Sequence, residues 1–384
     1  MSTIKVNSIK NTSTDDGGIA IDNSGHVQVD GVQLPTTGAL SNRNLIINGE
    51  QKVDQRNSGS SVTLSSTAKF VTDRWSAKIN GGAATAEQDT TVPSGKGFTK
   101  SLKFDVTTAD TSLGANDEIF VQTKIEAQNL TQLSHGTSDA QSVTFSFWVK
   151  SALTGDYGFY VFKDDAGRAY QTTYSISAAN TWEYKTITVP GDTSGAISDD
   201  NGVGFEVRWY LGAGSDKAGS SSQNAWGTNA ANRHPTGTNI MASTSNDWFI
   251  TGVQLEVGEK ATPFEHRSYG DELARCQRYY YKYAEGASKD IGVGAFYNST
   301  LFAFSVNFPV SMRAAPTFDY VTGTDYYGIF RAGALDPFDA MSATRLHENS
   351  AAIDTSTGTS GTQGHGGIAQ TSNASAYIAF SAEL

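Results

Sequence analysis

Apolar and polar residues alternate in short runs along most of this chain, and clusters of Gly, Asn, Asp and Ser separate one run from the next. Alternation with period two puts successive side chains on opposite faces of a strand. In VTFSFWVKS, which begins at Val143, one face carries Phe145, Phe147 and Val149, and the other carries Thr144, Ser146, Trp148 and Lys150. In GFEVRWYL, Phe205, Val207, Trp209 and Leu211 share the apolar face, opposite Glu206, Arg208 and Tyr210. YGFYVFKD sets Tyr160 and Phe162 against Phe159 and Val161, and EIFVQTKIEA sets Gln122, Lys124 and Glu126 against Val121, Thr123 and Ile125. NLIING, FVTDRWSAKI, GFTKSLKFDVTT, YQTTYSIS and WEYKTITV read as further strands. No helical run is interleaved with them, so the pattern predicts two packed antiparallel sheets.

The segment Trp248–Tyr281 closes this set and opens another. Strict alternation places Phe249, Thr251, Val253, Leu255 and Val257 on one face, and Trp248, Ile250, Gly252, Gln254 and Glu256 on the other. Gly258 breaks the strand, Pro263 fixes a turn or extended linker, and 271–283 reads as a short helix carrying Leu273, Cys276, Tyr280 and Tyr283. Beyond it, IGVGAFY, TLFAFSVNF, YYGIFRAG and AYIAFSAEL are strands between Gly/Ser/Thr loops. The aromatic strands at 291–308 are too apolar for a small exposed domain and are expected to pack partly against sister chains. At the other end, residues 1–41 hold too little apolar surface for a core of their own. The expected organisation is an attachment segment over 1–41, a β domain over 42–267 and a second β domain over 268–384.

Two resemblances sharpen this picture. GVQLEVG, ATPFEHRSYGDELARCQRYYYK, FPVSMRAAPTF, NRNLIINGEQKVDQRN and the terminal SAEL resemble the recurring sequence of phage tail-fibre and tail structural proteins. That resemblance implies a virion adhesion or tail component, a homotrimer, and docking to other tail proteins through residues 1–41. The order NLIING, SVTFSFWVKS, TWEYKTITV, WFITGVQLE resembles carbohydrate-binding modules of the jelly-roll kind. The fold class implied is all-β: a jelly-roll β-sandwich, then a short helix and a second C-terminal β domain. Such modules often carry an acidic residue in the closing strand, where this chain has Thr251-Gly252, so a structural calcium is left open and no other cofactor is implied.

Charge and motifs narrow the partners. The 384 residues carry 39 acidic and 28 basic side chains, a net charge of −11, and no Lys/Arg cluster offsets it, which disfavours nucleic acid. An acidic surface is also disfavoured at an anionic membrane, and no apolar run is long enough to insert into one. The single cysteine, Cys276, excludes an intrachain disulfide. No signal peptide is legible, which fits synthesis in a host cytoplasm and assembly there into a particle. HExxH, GxSxG, P-loop and strand-to-helix GxGxxG motifs are absent, and no His has metal-ligand spacing, so the expectation is a non-enzyme.

The candidate carbohydrate-binding residues are Gln122, Lys124, Trp148, Tyr160, Arg208 and Tyr210, all on faces turned from the core. Trp226, within the polar loop 212–246, either pins that loop or meets a ligand. Aromatic rings give flat apolar area with a polar tip, while amide, carboxylate and guanidinium groups give directional hydrogen bonds to hydroxyls. In a jelly roll these faces are expected to converge on one concave sheet. The function expected is a phage tail-fibre-like adhesion protein binding host surface glycan through the jelly roll, the C-terminal domain or both. The alternatives are a structural decoration or tail protein that binds no sugar, and a glycan-degrading enzyme.

Overall fold

The computed structural model describes residues 8–10, 18–21, 27–29, 32–33, 42–219, 224–228 and 238–384. The chain forms two compact units. One comprises 1–52, 59–71 and 75–266; the other comprises 53–58, 72–74 and 267–384. Two short pieces that the sequence reading assigned to the jelly roll therefore belong to the C-terminal unit.

The first unit begins with a small antiparallel sheet of β1 (Ser8–Lys10), β2 (Gly18–Ile21), β3 (Val27–Val29) and β4 (Val32–Gln33). The remainder of the attachment segment expected over 1–41 lies outside the described residues. Thirteen strands follow. They are β5 (Val62–Thr63), β6 (Lys69–Thr72), β7 (Trp75–Lys78), β8 (Ala83–Asp89), β9 (Ser101–Thr108), β10 (Glu118–Glu126), β11 (Val143–Ser151), β12 (Gly155–Lys163), β13 (Arg168–Ile176), β14 (Glu183–Val189), β15 (Val203–Ala213), β16 (Trp226–Thr228) and β17 (Asp247–Val257). A six-stranded sheet runs β14-β11-β17-β9-β8-β5, and a seven-stranded sheet runs β16-β13-β12-β15-β10-β7-β6. From β9 to β17 the chain crosses repeatedly between the two sheets, which is the jelly-roll pattern. The all-β class is therefore as read from the sequence.

The inward faces follow the period-two reading. Phe145, Phe147, Val149, Phe205, Val207, Trp209 and Leu211 all lie in one buried cluster between the sheets. Phe147 sits at its centre, with ring centroids 5.3 Å from Tyr174 and 5.7 Å from Trp209.

Strand β17 departs from strict alternation. Trp248 and Ile250 face the core, and so do Val253 and Leu255. The ladder explains the switch: Ser146 pairs with Gln254 but Trp148 pairs with Thr251, so β17 spends an extra residue. Gly252 makes this bulge at φ 61°, a left-handed conformation that glycine adopts without a Cβ penalty. The Phe98 ring occupies the space a side chain would need, 2.5 Å from where a Cβ would stand.

The second unit contains the helix α1 (Tyr269–Gln277), capped by Ser268 Oγ, which accepts from the Asp271 backbone N–H. The helix expected to reach Tyr283 stops at Gln277, and β18 (Tyr280–Glu285) begins almost at once. The run of tyrosines favours a strand, and Tyr280 pairs with Ser381 of β27 (Tyr377–Ser381). Cys276 is fully buried, and that burial pushes its thiol well above the ordinary range. The other strands are β19 (Asp290–Phe296), β20 (Phe302–Asn307), β21 (Thr317–Tyr320), β22 (Tyr327–Arg331), β23 (Ala334–Phe338), β24 (Ser342–Leu346), β25 (Ser350–Thr355) and β26 (Gly366–Thr371). They form a three-stranded sheet β18-β27-β21 and a seven-stranded sheet β23-β22-β26-β19-β20-β25-β24.

Most apolar side chains at 291–308 are absorbed by this unit's own core: Ile291, Phe296, Phe302, Phe304 and Val306 are buried there. They are therefore not the surface offered to a sister chain. A different apolar row is exposed. Leu335, Phe330, Ile368 and Val293 are cross-strand neighbours along β23, β22, β26 and β19, and Val293 is 76% exposed.

Charged side chains gather at the other sheet. Glu383 pairs with Arg74 and, at 3.0 Å, with Arg56. Each guanidinium also lies 3.6 Å over a ring, Arg74 on Tyr279 and Arg56 on Tyr280. Asp73 is buried beside them, accepting from the Gln55 backbone N–H at 2.9 Å, and burial pushes its carboxyl up to about 6.

Candidate functional site

Five of the candidate residues share one outer face, as read. Gln122 and Lys124 on β10, Tyr160 on β12, and Arg208 and Tyr210 on β15 lie on the outer side of the seven-stranded sheet. Gln122, Arg208 and Tyr160 are direct cross-strand neighbours. Tyr160 and Tyr210 are buried, packing with Phe120 and Ala169 into a second small cluster. The polar groups satisfy one another. Arg208 Nε donates to Gln122 Oε1 at 3.2 Å, Arg208 Nη1 to Tyr210 Oη at 3.0 Å, and Tyr210 Oη to Glu118 Oε1 at 3.1 Å. Glu206 pairs with Arg208 and with Lys124. Burial pulls the Arg208 pKa down, but Tyr210, Glu206 and Glu118 outweigh it and hold the group charged. This is a closed network that rigidifies the sheet.

Trp226 is held against the jelly-roll core. Its ring packs against the main core beside His135, Tyr170 and Phe205, its Nε1–H donates to the Pro190 carbonyl at 2.6 Å, and β16 pairs it to Tyr170. Lys163, buried and paired to Asp192 at 2.6 Å, sits 5.0 Å above the ring.

Trp148 stands apart from all of these, on the outer face of the six-stranded sheet. The expected convergence of these residues on one sheet is thereby corrected. A groove of about 690 Å³ opens around it, within the roughly 300–1,000 Å³ usual for ligand sites. Its floor is Trp148 and Ser146 of β11, Tyr184 of β14 and Gly252 of β17. Tyr184 is Trp148's cross-strand partner, with ring centroids 5.3 Å apart and planes tilted by 46°. Tyr184 is 44% exposed, while partial burial raises its phenol pKa against a hydrogen bond with Ser146. Lys96 Nζ lies 5.4 Å from the Trp148 ring.

The walls come from Phe98, Ala261, Thr262, Pro263, Phe264 and His266. Phe98 meets Phe264 edge-on at 5.2 Å, and His266 closes the trio at 5.4 Å and 5.0 Å from them. The GVQLEVG and ATPFEH motifs have a shared physical purpose here. Gln254 and Glu256 project from β17 and fasten the second motif down: Gln254 Oε1 accepts from the Glu265 N–H at 2.8 Å, and Glu256 Oε2 accepts from the Thr262 N–H at 2.9 Å. Glu265 in turn accepts from the N–H groups of Arg43 and Asn44. The stretch around Pro263, read as a linker, is thus a fixed wall. Tyr184, Lys96, Phe98, Phe264 and His266 were not singled out in the sequence. The only signal for Tyr184 was its place in WEYKTITV, where alternation alone sets it opposite Ile187 only by parity.

At the closing-strand position left open for calcium, Thr251 Oγ1 donates to the Lys100 carbonyl at 2.7 Å and lies 3.4 Å from the Glu50 carbonyl. These oxygens do not fit a calcium ion, because no carboxylate supplies the charge that such a site uses. Among the described residues, no three His, Cys, Asp or Glu side chains form a metal-holding group.

No family model and no curated protein sequence matches the chain. Among solved structures, the chain matches the following at low identity and low structural overlap. The enzymatically active domain of tailspike protein 4 from Bacteriophage CBA120 is 13% identical, with a TM-score of 0.30 over 56% of this chain and 21% of that one. The match therefore spans about a fifth of the tailspike domain. The family 11 carbohydrate-binding module of Lic26A-Cel5E from Clostridium thermocellum is 14% identical, with a TM-score of 0.25 over 53% of this chain and 98% of the module. The CBM22-1 xylan-binding domain of Paenibacillus barcinonensis Xyn10C is 12% identical, with a TM-score of 0.24 over 53% of this chain and 97% of the domain.

Proposed function

We propose that this chain is a glycan-binding adhesion protein of a phage tail, and that its jelly-roll unit holds host surface glycan in the groove at Trp148. The observation that carries this reading is the Trp148–Tyr184 pair, two adjacent rings at the floor of an open groove with polar groups around them. A sugar ring stacks its C–H face on such rings while its hydroxyls reach Lys96, Ser146 and His266. Binding without cleavage is part of the proposal: the groove's lining contains no carboxylate, whereas glycoside hydrolysis ordinarily uses a pair of them. Location in the virion and docking through residues 1–41 rest on the motif resemblance.

Trp148→Ala is expected to weaken binding to immobilised host polysaccharide by about ten- to a hundredfold, as for the loss of one aromatic anchor worth roughly 1–3 kcal/mol. Biolayer interferometry with wild type alongside reads this directly. Unchanged binding in the variant would remove the groove from the proposal.

Trimer assembly belongs to the same reading, and the row Leu335, Phe330, Ile368 and Val293 supports it as an apolar surface available to a sister chain. Light scattering of wild type is expected to give three times the monomer mass, and Val293→Glu with Ile368→Glu to give the monomer. A wild-type monomer at micromolar concentration would refute the trimer.

A further inference from the structure

We infer that the groove at Trp148 selects an acidic sugar, one bearing a carboxylate, over its neutral counterpart. This deepens the glycan-binding reading above and rests on it. The chain as a whole is acidic, with a net charge of −11, yet the groove reverses that balance. Its lining includes two basic side chains, Lys96 and His266, and no Asp or Glu.

The nearby carboxylates are already engaged. Glu50 pairs with Lys52 and accepts from His266 Nδ1 at 2.9 Å. Glu256 is held by the Thr262 N–H and lies 3.8 Å from Arg43 Nε. Lys96, by contrast, forms no ion pair among the described residues. Its ammonium stands on the exposed turn before Phe98, 5.4 Å from the Trp148 ring centroid. A sugar stacked on Trp148 and Tyr184 brings its ring substituents to that height. A carboxylate there gains a charge-assisted hydrogen bond that a hydroxymethyl group does not.

The geometry also fixes His266. A carboxylate acceptor at Nδ1 sets the ring orientation, and Phe98 and Phe264 pack against it. That leaves Nε2 as the ring nitrogen able to meet a ligand oxygen. The long-range field of an acidic protein repels acidic polymers and is screened by salt, so the selection described here is local to the groove. A neutral variant is a sharper probe of it than ionic strength.

The test uses the full chain and three acidic polymers, polygalacturonic acid, hyaluronan and polysialic acid, each beside its carboxyl-reduced form. Affinity electrophoresis and calorimetry read the dissociation constants. At least one acidic polymer is expected to bind ten times or more tighter than its reduced form. Lys96→Gln is expected to bring that acidic polymer down to the affinity of the neutral one, and Trp148→Ala to weaken both. Equal binding of acidic and reduced forms overturns the inference and leaves sugar binding standing, as does a preference that survives Lys96→Gln. No binding to these six polymers or to a neutral glycan panel overturns the glycan-binding reading itself.

Discussion

Phe147→Ala is expected to cost about 3–5 kcal/mol of stability, because it removes a fully buried ring from the centre of the jelly-roll core. The ring contacts Phe159, Tyr174 and Trp209, which belong to the facing sheet, so the strands around the void cannot close it by a side-chain rotation. Its neighbour in sequence provides the control. Trp148 points to the other side of the same strand and packs with Tyr184 at the surface groove. Trp148→Ala is therefore expected to move the guanidinium midpoint only slightly while it weakens glycan binding. Denaturation curves of the two variants decide the matter. If the substitution at Trp148 unfolds the protein and the one at Phe147 is mild, the faces of β11 are assigned the wrong way round.

The second large effect is expected in the C-terminal unit. Glu383→Ala removes the carboxylate that the Arg74 and Arg56 guanidiniums share. The Arg74 side chain is only 2% exposed, so water cannot replace the lost partner. Breaking a buried pair from one side costs about 3–5 kcal/mol, more than the pair contributes as a whole. The double variant Arg74→Met with Glu383→Leu is expected to be milder than Glu383→Ala alone, because the more deeply buried of the two arginine charges is removed together with its partner. Hydrogen exchange locates the damage: protection should fall in β18 and β27 and hold in β11. A loss below about 1 kcal/mol, or equal losses in the single and double variants, would show that the charges are not coupled as the geometry indicates.

Much of the fold was legible because burial follows parity along a strand. Phe145, Phe147 and Val149, or Phe205, Val207 and Trp209, announce an inward face by spacing alone. Parity fails where a residue is inserted. At Gly252 the extra residue is visible only against the partner strand, so Val253 and Leu255 were grouped with Phe249 when they share the core with Trp248 and Ile250. Parity is also silent about layers. It says that Trp148 and Arg208 both face away from the core, yet in a sandwich there are two such outer faces, and these residues lie on different ones. Nor does an outward face mean an exposed one, since Tyr160 and Tyr210 are buried in a cluster of their own. The groove was hidden for a third reason. Its walls are irregular backbone held by Gln254, Glu256 and Glu265, and such side-chain-to-backbone bonds leave no periodic trace.

The C-terminal unit draws Gln55, Arg56, Asp73 and Arg74 from the beginning of the chain, and this sets an order of events during synthesis. Arg74 and Glu383 are 309 positions apart, so the ribosome delivers one partner long before the other. The C-terminal unit is thus complete only when its own last residues arrive. The same interleaving constrains exchange between genes. A single crossover near residue 267 would transplant Glu383, Tyr279 and Tyr280 without the arginines that stack on them, so this C-terminal unit travels intact only together with the early loops that complete it.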